Sequence, residues 1–274
     1  MKITILVDNH AAEGLQTEHG LSLWIEAQGR HILFDTGQGK ALEHNAAALG
    51  IDLTQTDTLV LSHGHYDHTG GVEWALKQAP QAEVYCHPDV FRGRYSVGEG
   101  KARSIGMPQH AASALQMLPS GQLYRVVQPV MICDRIGLTG PVPRETQYED
   151  TGGPFFLDTG GTRPDPIDDD LSLWIRGDDG VVVCAGCSHA GIVNILNQVQ
   201  NLTQDGPIVA VIGGFHLIHA TQHRLDETVT ALGQMRLASV VPIHCTGTEA
   251  EAHLREVLGS DMVASGKAGM SFRF

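Results

Sequence analysis

The sequence predicts an α/β protein built from two similar halves, and three observations carry that expectation. Short apolar runs rich in branched residues alternate with helical spacings from residue 2 onward. The pentapeptide LSLWI occurs twice, at 21–25 and 171–175, and each copy is followed by the same order of turn, strand, helix and strand. Strands in both halves run into histidines: TLVLS into His63 and His65, PIVAVIGGFH into His216, SVVPIH into His244. Two such halves are expected to face each other as paired sheets with helices outside.

Taken in order, KITILV (2–7), LSLWIEA (21–27) and HILFDTG (31–37) read as strands, because branched and aromatic residues fill short runs that end at turn formers. KALEHNAAALG (40–50) has helical composition, and TLVLS (58–62) returns to strand. VEWALKQA (72–79) repeats its apolar residues at helical spacing, so the segment 62–71 between them is a strand-to-helix loop. In the second half the turn GDDG (177–180) leads to the strand VVVCAG (181–186). The helix IVNILNQVQNL (192–202) and the strands 207–216 and 239–244 follow. Residues 92–170 fit this scheme least. RGRYSVGEGKARSIG (92–106) reads as a glycine-rich loop, and TGPVPRETQYEDTGGPFFLDTGGTRPDPIDDD (139–170) as turns and loop packed over the second half. The expected organisation is one domain over 1–274 with a lid or insertion around 88–168.

A chain of 274 residues can bury a core without staples. A net charge of −13 argues against a nucleic-acid surface built on bulk positive charge. Five cysteines without regular spacing do not form a disulfide framework and fit a reducing cytoplasm. The start MKITILVDNH turns polar by Asp8, too early for a signal peptide, and no apolar run approaches the roughly 20 residues of a membrane span. The expectation is a soluble cytoplasmic protein with a small-molecule partner, no nucleic acid and no membrane, and with homo-oligomerisation left open.

SHGHYDHTGG (62–71) packs His63, His65, Asp67 and His68 into six positions. Imidazole and carboxylate are ligands that zinc, iron and manganese share, and alternate positions such as 63 and 65 point to one side of an extended loop. Asp67 and His68 project to a neighbouring point, so the four can supply half of each of two adjacent metal sites. Arg92, Arg94, Lys101 and Arg103 put four cations within twelve residues of an acidic chain. They read either as a solvated loop or as a lid that meets an anionic substrate through two-pronged guanidinium contacts.

HGHYDH (63–68) resembles the His-x-His-x-Asp-His element of the metallo-β-lactamase superfamily, and LFDTG (33–37) is similar to that family's first element. The resemblance covers nearly the whole chain and implies an αββα sandwich of two similar halves. It implies that Asp35 braces the metal loop. His189 in GCSHAG would be the fourth-element ligand, with Cys187 in reserve, and His244 in PIHCTG the fifth. The third-element histidine is missing before the second LSLWI, where PDPIDDD offers Asp168 or Asp169, or an open position. His216 lies, by the internal repeat, opposite His65 and is expected to face the same cleft and assist proton transfer, while Cys245 is expected to turn into the core. The fuller pattern, from LFDTG and NAAALGID to VIGGFHL and PIHCTG, resembles the branch named 7,8-dihydropterin-6-methyl-4-(β-D-ribofuranosyl)aminobenzene-5′-phosphate synthase-like.

What the resemblance implies is a metal-dependent hydrolase with two divalent ions, zinc first and iron or manganese as alternatives. A dinuclear-metal hydroxide would attack an anionic, phosphorylated small-molecule ester, with Asp67 and His216 as catalytic residues. The alternative is dihydropterin-methyl transfer, with the metals stabilising a diphosphate leaving group. A di-iron electron-transfer protein would need a flavin domain for which no residues remain, and a non-catalytic module would tend to have lost ligands.

Overall fold

The structure, a computed structural model, describes residues 1–98, 100–204 and 206–274. The chain divides into two compact units: the first comprises Met1–Val127, Pro154–Asp169 and Lys267–Arg273, the second Gln128–Gly153 and Asp170–Gly266 with Phe274.

Among the described residues the first unit holds a seven-stranded sheet in the order Ser271–Arg273, Lys2–Val7, Ser22–Ala27, Arg30–Phe34, Thr58–Val60, Glu83–Cys86 and Leu123–Arg125. The first three pairings are antiparallel and the last three parallel. A tight turn joins Ser22–Ala27 to Arg30–Phe34, whereas each parallel step needs a crossover, and helices Leu42–Ala48, Val72–Gln78 and Gln109–Gln116 supply it. Their apolar faces, with Leu42, Ala46, Val72, Leu76, Ala111 and Leu115, bury Trp24, Leu33, Leu59 and Val84 of the strands. The alternate strand residues Leu23, Ile25, Ile32, Phe34 and Val60 are buried as well, which explains why these strands read as continuous apolar runs.

The stretch 92–106 that reads as a loop is a β-hairpin, Tyr95–Gly98 against Lys101–Ser104. Phe155–Phe156 joins it as a third strand. The 139–170 stretch is therefore shared, because residues 154–169 pack with the first unit rather than over the second half. Alternating polar and small residues gave no strand signal there.

The second unit carries a six-stranded sheet in the order Ser239–Ile243, Ile208–Gly214, Val181–Ala185, Ser172–Arg176, Ile136–Leu138 and Val130–Cys133. Here the first two pairings are parallel and the rest antiparallel. Helices Ile192–Leu202 and Gln222–Gln234 make the crossovers, and Thr248–Leu258 follows the last parallel strand. Ile192, Ile195, Leu196, Val199, Val229, Leu232 and Leu254 of these helices close on Val183, Val211 and Val240. No helix among the described residues is long and apolar enough to cross a membrane.

Candidate metal centre

In the first unit, the strand Thr58–Val60 delivers the chain into the histidine loop, and the short helix Tyr66–Thr69 carries Asp67 and His68. Asp35, just past the strand Arg30–Phe34, sits in the left-handed region at φ 60° and is fully buried. Its Oδ1 accepts the Ser62 amide at 2.7 Å, and its Oδ2 accepts the Ser62 hydroxyl at 2.6 Å. The same Oδ2 lies 2.6 Å from His68 Nδ1. A carboxylate only accepts, so His68 carries its proton on Nδ1 and presents the lone pair of Nε2.

The same logic runs one residue further. Ser62 has one hydroxyl proton and donates it to Asp35, so its oxygen accepts from His63 Nδ1 at 2.9 Å. His63 then presents Nε2, which lies 2.9 Å from His65 Nδ1. One buried carboxylate thus sets the tautomers of two rings, the arrangement that orients imidazoles on metal ions. The His63 and His68 rings stand 4.2 Å apart between centroids. Asp67 Oδ2 is 4.0 Å from His68 Nε2 and 3.1 Å from His19 Nε2. His19 was not marked in the sequence, where nothing ties a residue 48 positions upstream to the motif.

The donor set fits a divalent ion of borderline softness: imidazole nitrogens and a carboxylate, buried and convergent. At 2.9 Å two ring nitrogens need a proton or a cation between them.

The second unit spreads its donors over three strand ends. His189 is fully buried, and its Nδ1 donates to the Thr151 carbonyl at 2.8 Å, so Nε2 again carries the lone pair. A strap, residues 144–153, fixes this contact. Glu149 accepts the amides of Val193 and Asn194 at the start of helix Ile192–Leu202, at 2.9 and 3.0 Å, and Asp150 pairs with Arg224 at 2.5 Å. Gly152 lies flat against the His216 ring. His216, at φ 47°, sets its ring 4.4 Å from that of His189.

Cys187, His216 and Cys245 offer ligand atoms within 4.8 Å of one another. Cys245 therefore does not turn away into the core; it faces Cys187 and His216. Burial works to raise its pKa, but hydrogen bonding with Cys187 and the rings of His216 and His244 hold the thiol well below its ordinary range. His244 opens the 3-10 turn His244–Thr246 at φ 53°. Cys187 and Cys245 are the donors that a preference for imidazole underrates.

One further expectation changes. The ladders pair Leu33 with Leu59 and Val183 with Val211, so by the internal repeat His216 corresponds to Gly64 rather than to His65. Asp168 is exposed, and Asp169 accepts the Gly64 amide at 2.8 Å and pairs with Arg94 at 2.5 Å. Buried Asp170 accepts the Ala190 amide at 2.7 Å.

Of the four cations, Arg94 is only 1% exposed and lies against Asp165 and Asp169 at 3.1 and 2.5 Å. A buried guanidinium between two carboxylates is not a lid contact for substrate. Arg92 is half exposed and paired with Asp89 at 3.0 Å. Lys101 and Arg103 are exposed, and the Arg103 guanidinium lies 5.6 Å from the centre of the Tyr66 ring, next to Asp67 in sequence.

Residues 16–223 match the sequence profile of the metallo-beta-lactamase superfamily. An uncharacterized protein of Methanocaldococcus jannaschii is 32% identical over 256 residues, which span 93% of this chain and 94% of that protein. The 7,8-dihydropterin-6-methyl-4-(beta-D-ribofuranosyl)-aminobenzene-5'-phosphate synthase of the same archaeon is 28% identical over 95% of this chain and 92% of its own length. The crystal structure of a metal-dependent hydrolase of the beta-lactamase superfamily aligns over 100% of this chain and 99% of that one, with a TM-score of 0.84 and 30% identity. Mixed sheets flanked by helices, the αββα class, and histidine, cysteine and aspartate clusters able to hold metal ions agree with these matches. The chain belongs to the metallo-beta-lactamase superfamily, an enzyme fold.

Proposed function

We propose that the protein is a hydrolase that uses two divalent metal ions, zinc in the first place, on an anionic, phosphorylated small-molecule ester. The observation that carries this reading is the convergence of His63 Nε2 and His65 Nδ1 at 2.9 Å, with Asp35 fixing the tautomers behind them. His63, His65, Asp67 and His68 are read as ligands together with His189 and His244, as their places in the family pattern imply, and the second unit adds the thiols of Cys187 and Cys245 as further donors. A metal pair roughly 3.5 to 4 Å apart lowers the pKa of bound water toward 7 and polarises the ester oxygen. The protein's own work is to hold these donors dry and to manage protons. Asp67, with His19 beside it, is read as accepting one, and His216 as returning one to the leaving group. Arg92, Lys101 and Arg103 are the cations left for an anionic substrate.

A second reading rests on the 28% identity to the dihydropterin synthase over 95% of this chain. In that reaction the same ligands would hold ions that neutralise a departing diphosphate, and water would have to be kept out. Five free thiols suit the reducing cytoplasm as the place of either activity.

The test is metal content of protein purified without added metal, followed by reconstitution with zinc, iron or manganese and assays on phosphomonoesters, phosphodiesters and lactones. Close to two ions per chain and turnover that is lost on chelation and restored by one metal are expected. A chain that neither retains nor takes up metal sinks the proposal. Turnover only with a dihydropterin diphosphate and an amine acceptor selects the transferase.

A further inference from the structure

We infer that Arg94 and Asp169 are positioning residues for the metal loop, a second clamp that holds Gly64 as Asp35 holds Ser62 and His68. The inference rests on the reading of His63 and His65 as metal ligands. Gly64 separates these two rings, and its backbone is pressed on the backbone of Val90: a Cβ there would meet Val90 O at 2.5 Å and Val90 Cα at 2.7 Å. Only glycine allows this approach. The Gly64 amide donates to Asp169 Oδ2 at 2.8 Å, while Asp169 Oδ1 receives Arg94 Nη2 at 2.5 Å.

Arg94 in turn is tied into the segment that wraps the loop. Its Nη2 donates to the Asp89 carbonyl at 3.3 Å, its Nε lies 3.1 Å from Asp165, and its own carbonyl accepts the Ile105 amide at 2.8 Å. Ile105 O accepts the Tyr66 amide at 3.0 Å, and His65 bridges to Gly106. The root of the 95–104 hairpin thus grips both sides of His65, and the Arg94 to Asp169 pair closes the grip on Gly64. All three charged groups are 3% exposed or less, so they are not solvated surface pairs. A charge-assisted hydrogen bond from a buried carboxylate to the loop amide limits the hinge between His63 and His65, and so limits how far their ring nitrogens can separate.

Asp165 supplies the control, because its carboxylate pairs with Arg94 and accepts the Ile167 amide, whereas Asp169 accepts the Gly64 amide. Zinc affinity is measured by competition with a chromophoric chelator for the wild type, Asp169→Ala and Asp165→Ala. Melting of the metal-free proteins and hydrogen exchange of the Gly64 amide are followed alongside. Both variants are expected to melt lower, but only Asp169→Ala should lose roughly 10- to 100-fold in zinc affinity, the range typical for groups that orient metal ligands. The Gly64 amide should exchange faster in Asp169→Ala alone. Equal affinity losses in the two variants, or no loss in Asp169→Ala, overturn the inference. If Asp169→Ala does not fold, Asp169→Asn, which keeps an oxygen for Gly64 but weakens the hold on Arg94, should show a smaller affinity loss, and an unchanged affinity is again contrary. A wild type that takes no zinc, with Gly64 still protected by Asp169, removes the proposed function and leaves the clamp standing.

Discussion

The two sheets share a ladder but place their functional side chains by different means. In the first unit Trp24 lies opposite Leu33, Leu33 beside Leu59, and Leu59 beside Val84. In the second, Trp174 lies opposite Val183, Val183 beside Val211, and Val211 beside Val240. An antiparallel step followed by two parallel steps is common to both, and the third parallel-paired strand ends in a 3-10 turn in each, Pro88–Phe91 and His244–Thr246. Above that common frame, the first unit collects four donors in one loop and holds them with carboxylates. The second scatters its donors over strand ends and sets them on strained backbone at Ser188, His216 and His244, all with φ near 50°, where the first unit has Asp35 at φ 60°. Left-handed conformations at non-glycine residues cost about 1 to 2 kcal/mol each, so the surrounding contacts must impose them.

The largest way to break this comparison is to remove the carboxylate from the first unit. Asp35→Ala leaves the Ser62 amide, the Ser62 hydroxyl and His68 Nδ1 facing a buried void, at a cost of about 3 kcal/mol or more. The variant should melt well below the wild type and retain less than one metal ion per chain. Wild-type melting with full metal content would mean that Asp35 does not hold the loop. On the strap of the second unit, Gly152→Ala probes the backbone device. Gly152 has φ 84°, and a methyl group would land on the His216 ring. The expected cost is about 1 to 3 kcal/mol with a fall in kcat at nearly constant KM, because the cations proposed to meet the substrate are untouched. An unaltered kcat would separate His216 from the chemistry.

A smaller effect is expected at the exposed cations. Arg103→Ala should raise KM for an anionic substrate by roughly three- to tenfold, the worth of one partly solvated charge-assisted contact. Arg92→Ala should do less, since Asp89 already holds that side chain. An unchanged KM in both would return these two side chains to the solvated surface.

The difference between the units also explains what the sequence revealed. HGHYDH was legible because a turn between strand and helix compresses four donors into six residues. The sheets were legible because LSLWI repeats and their strands are apolar on both faces. The role of Asp35 came only through the family pattern, and its reach to His68 spans 33 residues that no local spacing connects. Arg94 was misread for a related reason: a cation in a glycine-rich, polar stretch looks solvated, and its two carboxylates lie 71 and 75 positions further along the chain. Cys245 next to His244 looked like a core residue because alternation along a strand would turn it away. The 3-10 turn that begins at His244 removes that alternation and brings the thiol toward His216.

The finest test of the comparison uses pH on the strap. Burial raises the Glu149 pKa above its ordinary 4.5, while the amides of Val193 and Asn194, the Thr146 hydroxyl and Arg224 pull it back. The folded protein therefore binds this proton more tightly than the unfolded chain does. Where the native state holds more protons, stability falls as pH rises, so Glu149 contributes a decline that begins near pH 4.5 and ends once the folded pKa is passed. Glu149→Gln keeps an oxygen for one helix amide, removes the charge, and should flatten that part of the melting-temperature profile while leaving the first unit's metal loop unaffected. Persistence of the same slope in Glu149→Gln would assign it to another group. If the slope vanishes and His189 retains its hydrogen bond to Thr151, the strap is anchored by backbone contacts with the carboxylate as an accessory, in contrast to the carboxylate-held loop of the first unit.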